Sequence, residues 1–376
     1  MNSLQSPSSA PRRIAVVGAG YFSQFHLEGW AQIEGVQVVA LCDSDPVKAA
    51  ALAARFGIKQ VFEDVADMVA QASPDLVDVV TPPASHQSIL TTLFKHRLPV
   101  ICQKPFGKDY AQAVALTAEA KQSGTPLVVH ENFRFMPCYR ETKRCIAAGM
   151  LGTLHGISFR LRTGDGQGPQ AYLDRQPYFQ TMPRLLVAET AIHFIDTFRY
   201  LMGEVTAVYA RLRKLNPVIA GEDAALISFE FACGAAGIFD GNRLNDHSAA
   251  NPRRTLGEMW LEGAHGVLRL DGDARLWFKP HHGPEAEHAY DSGPSTTFGG
   301  GACGALQQHV LSAIAHGSPF ENSAQDYLRN LLIQEAVYAS HASGQRIAID
   351  SFTPFEATPP VSLFASCPLT KEMESV

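Results

Sequence analysis

The sequence predicts two domains: an α/β domain with a parallel sheet, followed by an α+β domain with a large, mostly antiparallel, open-faced sheet. In the N-terminal part, short apolar runs alternate with segments of helical periodicity, and such βα repeats indicate a parallel sheet with helices on both faces. Farther along, strand patterns follow one another with few helices between them, which favours antiparallel pairing. The length of 376 residues and the hydrophobic content of 46% suffice for two sizeable cores.

The domain boundaries are predicted where these patterns change. Residues 1–11 are rich in Ser and Pro and are expected to form a disordered tail. The α/β domain is predicted over residues 12–132 and the α+β domain over residues 133–350. Residues 351–376 contain proline and show no periodicity, so we expect a C-terminal extension there.

The elements of the first domain follow from its apolar runs. Six of these runs predict strands, at residues 13–17, 36–42, 60–62, 76–81, 99–102 and 127–130. Helical spacing between them predicts five helices, at residues 22–33, 46–56, 64–70, 85–95 and 109–123. Pro46 marks the start of the second helix, because the first turn of a helix does not need the N–H that proline lacks.

The second domain is predicted to begin with a linking helix over residues 136–148. Seven strands follow, at residues 154–162, 207–212, 225–231, 237–242, 255–262, 266–271 and 274–279. Helices are predicted at residues 186–202, 306–315 and 324–343, and a loop rich in Gly, Ser and Pro at residues 283–303.

Composition and charge exclude several classes of protein. The net charge of −6 argues against nucleic-acid binding, because phosphate backbones recruit basic proteins. No apolar run approaches the roughly 20 residues that span a bilayer, and the polar N-terminus does not resemble a signal peptide. The seven cysteines form no CxxC pair, so we expect reduced thiols and a cytoplasmic protein.

A glycine motif follows the first predicted strand. Gly18 permits a tight turn, and Gly20 lets the backbone approach a pyrophosphate at the N-terminus of the next helix. Ser23 stands where a third glycine is usual and is small enough for close packing. Asp43 ends the second strand, where a carboxylate binds the ribose hydroxyls of NAD and repels a 2′-phosphate. The motif predicts NAD as the cofactor.

Two further motifs follow later strands of the same domain. The segment TPPASH runs from Thr81 to His86, and QKP begins at Gln103. Together with the segments VGAGYFS and LCD and a later helix that carries His193, they resemble the Gfo/Idh/MocA family, named for glucose–fructose oxidoreductase and inositol dehydrogenase. The resemblance covers residues 12–350 and implies a Rossmann domain and an NAD-dependent oxidoreductase.

The resemblance also implies roles for individual residues. Lys104 is expected to be catalytic, and Gln103 stands where the family has glutamate, so one charge beside the lysine is absent. Asn132, at the domain boundary, is expected to reach the nicotinamide end of the cofactor. The predicted cofactor-binding residues are Gly18, Gly20, Tyr21, Phe22, Asp43, Thr81, Pro83, His86, Gln103, Lys104 and Asn132.

The helix over residues 186–202 carries the second part of the predicted reacting centre. Its residues Glu189, His193 and Asp196 are spaced by four and three, which favours one helical face. The family pattern has aspartate where this chain has Glu189. Oxidising an alcohol needs a proton acceptor, for which histidine is suited, and lysine can hold the substrate oxygen. We therefore expect Lys104 and His193 to be catalytic, and Glu189 and Asp196 to bind substrate. The alternative role of Glu189 is to position or tune His193.

Two arginines are further candidates for substrate binding. Arg134 follows a strand at the domain boundary, where clefts form, and an ion pair within the fold is its alternative role. Arg162 precedes a glycine-rich loop that is either a substrate wall or plain surface. No metal site is predicted, because His281-His282 has no other ligand at metal spacing.

The leading hypothesis is a dehydrogenase that transfers a hydride from a hydroxyl carbon of a sugar or polyol to NAD. The segments QKPF and VHENFRF are similar to those of family members that act on D-apiose, so an aldose such as D-apiose is an expected substrate. One alternative is a redox-assisted lyase, epimerase or glycosidase that retains its NAD. Another is a non-catalytic NAD-binding regulator, against which the presence of both Lys104 and His193 argues.

Oligomeric state follows from the second predicted sheet. One of its faces must cover the helix that carries His193, and no predicted helix is left for the other face. Apolar residues on that face would be exposed in a monomer. We therefore expect a homodimer or homotetramer built through this sheet.

Overall fold

The computed structural model describes residues 10–354, which divide into two compact units. Unit 1 comprises residues 10–131 and Cys303–Asp326, and unit 2 comprises Asn132–Ala302 and residues 327–354. All but two residues of the predicted tail over 1–11, and all but four of the predicted extension over 351–376, lie outside the described part of the chain.

Unit 1 contains a six-stranded parallel sheet with the strand order β3-β2-β1-β4-β5-β6, the arrangement of a Rossmann fold. Its strands are β1 (Arg12–Val17), β2 (Val36–Cys42), β3 (Gln60–Phe62), β4 (Leu76–Val79), β5 (Val100–Gln103) and β6 (Leu127–His130). Its first five helices are α1 (Ser23–Ala31), α2 (Pro46–Phe56), α3 (Val65–Ala72), α4 (Pro83–Phe94) and α5 (Tyr110–Ser123). The predicted βα order is confirmed, and boundaries differ by a few residues at most.

Local sequence signals set several helix ends in unit 1. The side chain of Asp45 accepts the backbone N–H groups of Val47 and Lys48, and Asp64 caps α3 in the same way. α2 ends at Gly57 and α5 at Gly124, both in the left-handed conformation that glycine adopts without steric cost. These caps satisfy N–H and C=O groups that helix ends leave without intrahelical partners.

Unit 2 is built on a nine-stranded sheet with the order β14-β13-β12-β11-β7-β10-β9-β8-β15. All of its pairings are antiparallel except that of β7 with β10. The strands are β7 (Leu154–Arg162), β8 (Val205–Arg213), β9 (Ala224–Phe231), β10 (Ala236–Asn242), β11 (Gly257–Gly263), β12 (Gly266–Leu270), β13 (Leu276–Pro280), β14 (Ala286–His288) and β15 (Ile347–Ala348). The predicted open-faced sheet is confirmed, and the two shortest strands, β14 and β15, were missed.

Two helices of unit 2 precede most of this sheet in sequence: α6 (Pro137–Ala147) and α7 (Ile192–Met202). α7 packs on the sheet through Phe194 and Phe198. The ring of Phe194 lies 4.0 Å from that of Phe159 and 5.3 Å from that of Phe239. Side chains alternate between the two faces along each strand. On the face opposite α7, Leu226 of β9 is 52% exposed and Ile238 of β10 is 47% exposed.

The last two helices correct the predicted domain boundary. α8 (Ala302–His316) belongs to unit 1 from its second residue onward, and α9 (Ala324–Ser343) passes from unit 1 into unit 2. Assigning all of residues 133–350 to the second domain was therefore wrong. The physical reason is close packing of α8 on α1, since a Cβ on Gly29 would lie 2.9 Å from the backbone N of Gly304. Farther along, Asn322 accepts the N–H of Val129 in β6.

A buried carboxylate joins three elements of unit 1. Asp78, on β4, is fully buried, and its Oδ2 lies 2.8 Å from Nδ1 of His26 and 2.7 Å from Nε1 of Trp30, both on α1. Gln307 of α8 donates to the same oxygen at 3.4 Å and to the carbonyl of His26 at 3.0 Å. Burying a carboxylate is costly unless hydrogen-bond donors surround it. Here Oδ2 of Asp78 accepts hydrogen bonds from His26, Trp30 and Gln307.

Among the described residues, no helix combines the length and apolar character that a bilayer span requires.

The Asp78 network gives a test of stability. We expect Asp78→Ala to lower the free energy of unfolding by about 3–5 kcal/mol, because the buried donors of His26 and Trp30 lose their acceptor. Urea titration followed by circular dichroism measures the change. Glu63→Ala, at an exposed carboxylate of the same unit, is the control and should cost no more than about 0.5 kcal/mol. Equal effects of the two substitutions would contradict the stated role of Asp78.

Candidate functional site

The glycine loop of unit 1 lies between β1 and α1, as the sequence predicts. Gly18 has φ +111°, and a Cβ there would lie 2.3 Å from the carbonyl oxygen of Val80, so this position excludes every side chain. A Cβ on Gly20 would meet nothing within 4 Å. Gly18 is thus required by the fold itself, whereas Gly20 leaves the backbone open to a ligand at the N-terminus of α1.

Asp43 lies beside this loop at the end of β2. Its Oδ2 accepts the N–H of Ala19 at 2.6 Å, and its Oδ1 accepts the N–H of Asp45 at 2.8 Å. The carboxylate therefore shapes the loop and the turn that follows β2. This is the position from which a carboxylate reaches the ribose of a bound dinucleotide.

The start of α1 carries an aromatic cluster. The rings of Tyr21 and Phe22 lie 5.6 Å and 5.1 Å from that of Phe25, and Tyr21 is 42% exposed. Ser23, at the third position of the glycine motif, is fully buried in the first turn of α1. The small side chain thus permits the close packing for which the motif usually uses glycine.

His86 is hydrogen-bonded to the turn that follows β4. Its Nε2 lies 2.8 Å from the carbonyl oxygen of Thr81, and its Nδ1 lies 3.5 Å from Sγ of Cys102. The carbonyl can only accept, so Nε2 donates and Nδ1 accepts the thiol proton. Burial lowers the pKa of His86, which disfavours the protonated ring. His86 thus orients the turn from Thr81 to Pro83, the first residue of α4, from a fully buried position.

Gln103 connects the Asp78 network to Lys104. The amide oxygen of Gln103 accepts the backbone N–H of Lys104 at 2.6 Å, and its Nε2 lies 3.4 Å from Nε2 of His26. Because Nδ1 of His26 donates to Asp78, Nε2 of His26 is the acceptor for the Gln103 amide. A glutamate at this position has no N–H to offer, so glutamine suits this tautomer of His26. Lys104 itself is partly exposed at the end of β5.

These residues fit a dinucleotide. The loop offers amide donors at a helix N-terminus, Gly20 is open to close approach, and Asp43 lies beside the loop. The structure therefore brings together Gly18, Gly20, Tyr21, Phe22 and Asp43 around one loop. Thr81 adjoins it, since its Cγ2 would lie 3.1 Å from a Cβ on Gly18.

In unit 2, His193 lies one residue into α7 and is 7% exposed. Its ring stacks on that of Phe133 with a centroid distance of 4.0 Å and an interplanar angle of 5°. Phe133 begins a short 3₁₀ helix (Phe133–Phe135) that directly follows the buried Asn132. Stacking fixes the plane of the imidazole, so its two nitrogens can form hydrogen bonds only within that plane.

Asp196 and Arg134 form an ion pair inside unit 2. Two hydrogen bonds of 2.7 Å and 2.5 Å join the guanidinium to the carboxylate, and Asn330 donates to the same carboxylate at 2.7 Å. Asp196 is fully buried and Arg134 is 6% exposed. This geometry agrees with the alternative considered for Arg134, an ion pair within the fold. It ties the segment after β6 to α7 and α9.

The backbone before α7 departs from the predicted continuous helix. Leu186–Ala191 form a π-helical turn, and α7 begins only at Ile192. Glu189 lies in this wider turn, so its side chain does not keep the α-helical spacing of four to His193 on which the prediction of one face rested. Single π-turns inside helices are frequent at functional sites.

Two buried charged residues hold this turn in place. Glu222 accepts the N–H of Val187 at 2.9 Å and the hydroxyl of Tyr338 at 2.7 Å, and burial raises the pKa of Glu222. On the other side, Arg243 donates to Oγ1 of Thr190 at 2.7 Å. The turn is thus held near both of its ends, by Glu222 just before β9 and by Arg243 just after β10, and Tyr338 of α9 supports Glu222.

Arg243 was not predicted as a site residue. It is 4% exposed, donates to Asp165 at 2.8 Å, and lies over the rings of Tyr172 and Phe179. Burial opposes its charge, but Asp165, followed by Tyr172 and Glu189, raises the pKa of Arg243 overall. Its hydrogen bond to Thr190 places it beside the turn that carries Glu189. The only signal in the sequence was an arginine directly after the apolar strand β10.

Arg162 has hydrogen-bond partners of its own. It lies at the end of β7, where it donates to the carbonyl of Asp240 at 2.7 Å and to the carboxylate of Asp240 at 2.6 Å. This bond crosses the parallel pair β7 and β10. Burial, followed by the charge of Glu189, raises the pKa of Tyr178 to about 12, so its phenol stays protonated and is a poor proton acceptor at neutral pH.

Comparison with known proteins agrees with the fold and with the nucleotide loop. Residues 12–131 match the oxidoreductase family with an NAD-binding Rossmann fold, and residues 139–269 match the GFO/IDH/MocA C-terminal domain. A D-apiose dehydrogenase of Paraburkholderia graminis is 32% identical over 90% of this chain and 89% of its own length. A D-apiose dehydrogenase of Rhizobium rhizogenes is 29% identical over 89% of this chain and 96% of its own length.

Solved structures show the same architecture. An oxidoreductase from Agrobacterium radiobacter, crystallised with NAD⁺, L-tartaric acid and magnesium, superposes with a TM-score of 0.82 at 28% identity, over 90% of this chain and 99% of its own. A levoglucosan dehydrogenase has a TM-score of 0.77 at 20% identity, over 90% and 99% of the two chains, and shows the fold alone. The chain therefore belongs to the GFO/IDH/MocA family of oxidoreductases, whose N-terminal domain is an NAD-binding Rossmann fold.

Proposed function

We propose that this chain is an NAD-dependent dehydrogenase that oxidises a hydroxyl carbon of a sugar or polyol, with an aldose such as D-apiose as substrate. The observation that carries the proposal is the glycine loop with Asp43, together with a fixed histidine on α7 in a chain similar to D-apiose dehydrogenases over nearly its whole length.

The reaction requires a hydride acceptor, a proton acceptor and a group that holds the substrate oxygen. NAD supplies the hydride acceptor when it is bound. We assign the proton to His193, whose imidazole plane is fixed by Phe133. Lys104 is assigned to the substrate oxygen, where an ammonium stabilises developing alkoxide charge. Its backbone is anchored through Gln103 and His26 to the buried carboxylate of Asp78.

Substrate contacts are assigned to Glu189 in the π-turn. Arg243 binds Thr190 and Glu222 binds the backbone of Val187, so charged side chains support this turn on both sides of Glu189. Arg134, Asp196 and Arg162 were candidates for substrate binding, but each is engaged in strong hydrogen bonds within unit 2. We therefore give these three residues the role of positioning residues rather than direct contacts.

The first experiment is a screen for NADH formation. Purified protein is incubated with NAD or NADP and with aldoses, ketoses, polyols and inositols, and absorbance of the reduced cofactor is followed. We expect reduction of NAD with D-apiose or a related aldose, and slower reduction of NADP, because its 2′-phosphate would approach the Asp43 carboxylate. Absence of reduced cofactor with every compound, from protein that binds NADH, would overturn the dehydrogenase proposal.

The two catalytic assignments are tested by substitution. His193→Ala should lower kcat by about 10²–10⁴-fold, and Lys104→Ala should lower it by at least about as much, because orientation and charge stabilisation are lost together. Steady-state kinetics measures both, and calorimetry checks that NADH binding persists. His281→Ala and Lys108→Ala, at exposed positions, are the matched controls and should keep wild-type rates. Near-normal turnover of His193→Ala would show that the proton goes elsewhere.

We further propose that the chain forms a cytoplasmic homodimer or homotetramer through the open face of the nine-stranded sheet. That face exposes Tyr209, Leu226 and Ile238 on three adjacent strands, and a second copy would cover them. No disulfide joins cysteines within residues 10–354, which supports a reducing compartment.

The interface is tested by adding charge to the exposed face. We expect the wild type to be a dimer or tetramer by light scattering at micromolar concentration. Leu226→Arg combined with Ile238→Lys should shift it toward monomer, because burying two unpaired charges is costly. Val47→Arg, at a residue that is 77% exposed in unit 1, serves as control. A wild type that is monomeric at this concentration would refute the interface.

A further inference from the structure

A cluster of three different ligand types lies in unit 2 outside the proposed catalytic residues. Glu141 and Cys145 are one turn apart on α6, and His288 is the last residue of β14, at the edge of the sheet. One carboxylate oxygen, one sulfur and one ring nitrogen converge, and these atoms all lie within 4.8 Å of one another. In the described part of the chain, no other group of three such side chains meets this condition.

The distances match those between ligands of one tetrahedral metal ion. Sγ of Cys145 lies 3.5 Å from Nε2 of His288 and 3.7 Å from Oε1 of Glu141, and Oε1 is also hydrogen-bonded to Nε2. For a zinc ion with bonds of about 2.3 Å to sulfur and about 2.0–2.2 Å to nitrogen and oxygen, tetrahedral geometry separates the ligand atoms by about 3.5 Å. Two of the three separations are therefore already those of a bound ion, and the third needs a small opening.

The cluster is sheltered but reachable. Cys145 is 1% exposed, whereas the side chains of Glu141 and His288 are 12% and 17% exposed. The buried thiol of Cys145 is the soft, polarisable ligand of the set. The partly exposed side chains of Glu141 and His288 make the cluster accessible from solvent. Nothing in the proposed catalytic chemistry uses these three residues.

We propose that Glu141, Cys145 and His288 bind a divalent transition-metal ion of the zinc type. The donor set of sulfur, imidazole nitrogen and carboxylate oxygen selects Zn²⁺ over Mg²⁺ and Ca²⁺, which prefer oxygen ligands. On binding, the thiol proton of Cys145 leaves to solvent. The proton that Nε2 of His288 shares with Glu141 is displaced through solvent to Nδ1, so the neutral ring binds the ion through Nε2. The Glu141–His288 hydrogen bond is thus exchanged for two metal bonds, and water completes the coordination. The ion ties the edge strand β14 to α6.

Arg144 competes with the metal ion for the same carboxylate. Its Nε and Nη2 donate to the two oxygens of Glu141 at 2.7 Å and 2.5 Å, although its own side chain is largely exposed. Metal binding must weaken this pair, so Arg144 limits the affinity of the site. The sequence spacing gave no signal for this cluster, because Cys145 and His288 are 143 residues apart.

The test uses the full-length protein freed of metal with a chelator and then titrated with Zn²⁺ and, separately, with Co²⁺. We expect one Zn²⁺ per chain by calorimetry and a thiolate-to-cobalt charge-transfer band with Co²⁺. Cys145→Ser should abolish that band, and Cys145→Ser and His288→Gln should each weaken Zn²⁺ binding by at least about 100-fold, the upper end of what loss of an outer-shell partner costs. Arg144→Gln should strengthen binding, because the competing cation is gone.

The control is Cys233→Ser, at an exposed cysteine, which should leave the cobalt band and the zinc affinity unchanged. Circular dichroism verifies that each variant is folded. Absence of a thiolate-to-cobalt band in the wild type would overturn the proposal. So would a band that survives Cys145→Ser, because the thiolate ligand would then lie elsewhere in the chain.

Discussion

The buried carboxylate of Asp78 is the constraint on which the nucleotide-binding unit depends. A fully buried charge is tolerated only with donors around it, and α1 and α8 supply them through His26, Trp30 and Gln307. The same interaction therefore fixes how two helices pack on β4. It also fixes the tautomer of His26, which in turn accepts from Gln103. A single charge thus determines the local order of the segment that leads into Lys104.

Unit 2 applies the same principle around α7. Charged residues on this helix are buried in networks rather than single pairs: Asp196 binds both Arg134 and Asn330, and Asn330 also accepts from Arg199. Buried ion pairs cost more in desolvation than they return unless further hydrogen bonds support them. Their value here is positional. On the same helix, the stacked ring of Phe133 restricts rotation of the His193 imidazole.

The π-turn before α7 is defined by tertiary contacts within unit 2. Glu222 holds the start of the turn and Arg243 holds a position near its end. Glu222 lies just before β9 and Arg243 directly after β10, so both are distant from the turn in sequence. Local propensity contains no signal for a wider turn at this place, whereas the buried partners define it. A site built on such a turn can displace Glu189 from the ordinary helical spacing while the rest of α7 stays regular.

The sequence by itself determined the two folds, the order of their elements and the nucleotide loop. Periodicity and caps are local properties, so elements such as β2 and α2, and the places of Gly18 and Asp43 at the loop after β1 and the end of β2, followed directly from residue type and spacing. Only the tertiary structure decided that α8 belongs to unit 1, that Arg134 and Asp196 pair with each other, and that Arg243 supports the π-turn. These outcomes depend on contacts between residues far apart in the chain, whose energies come from burial and charge compensation that no local pattern encodes.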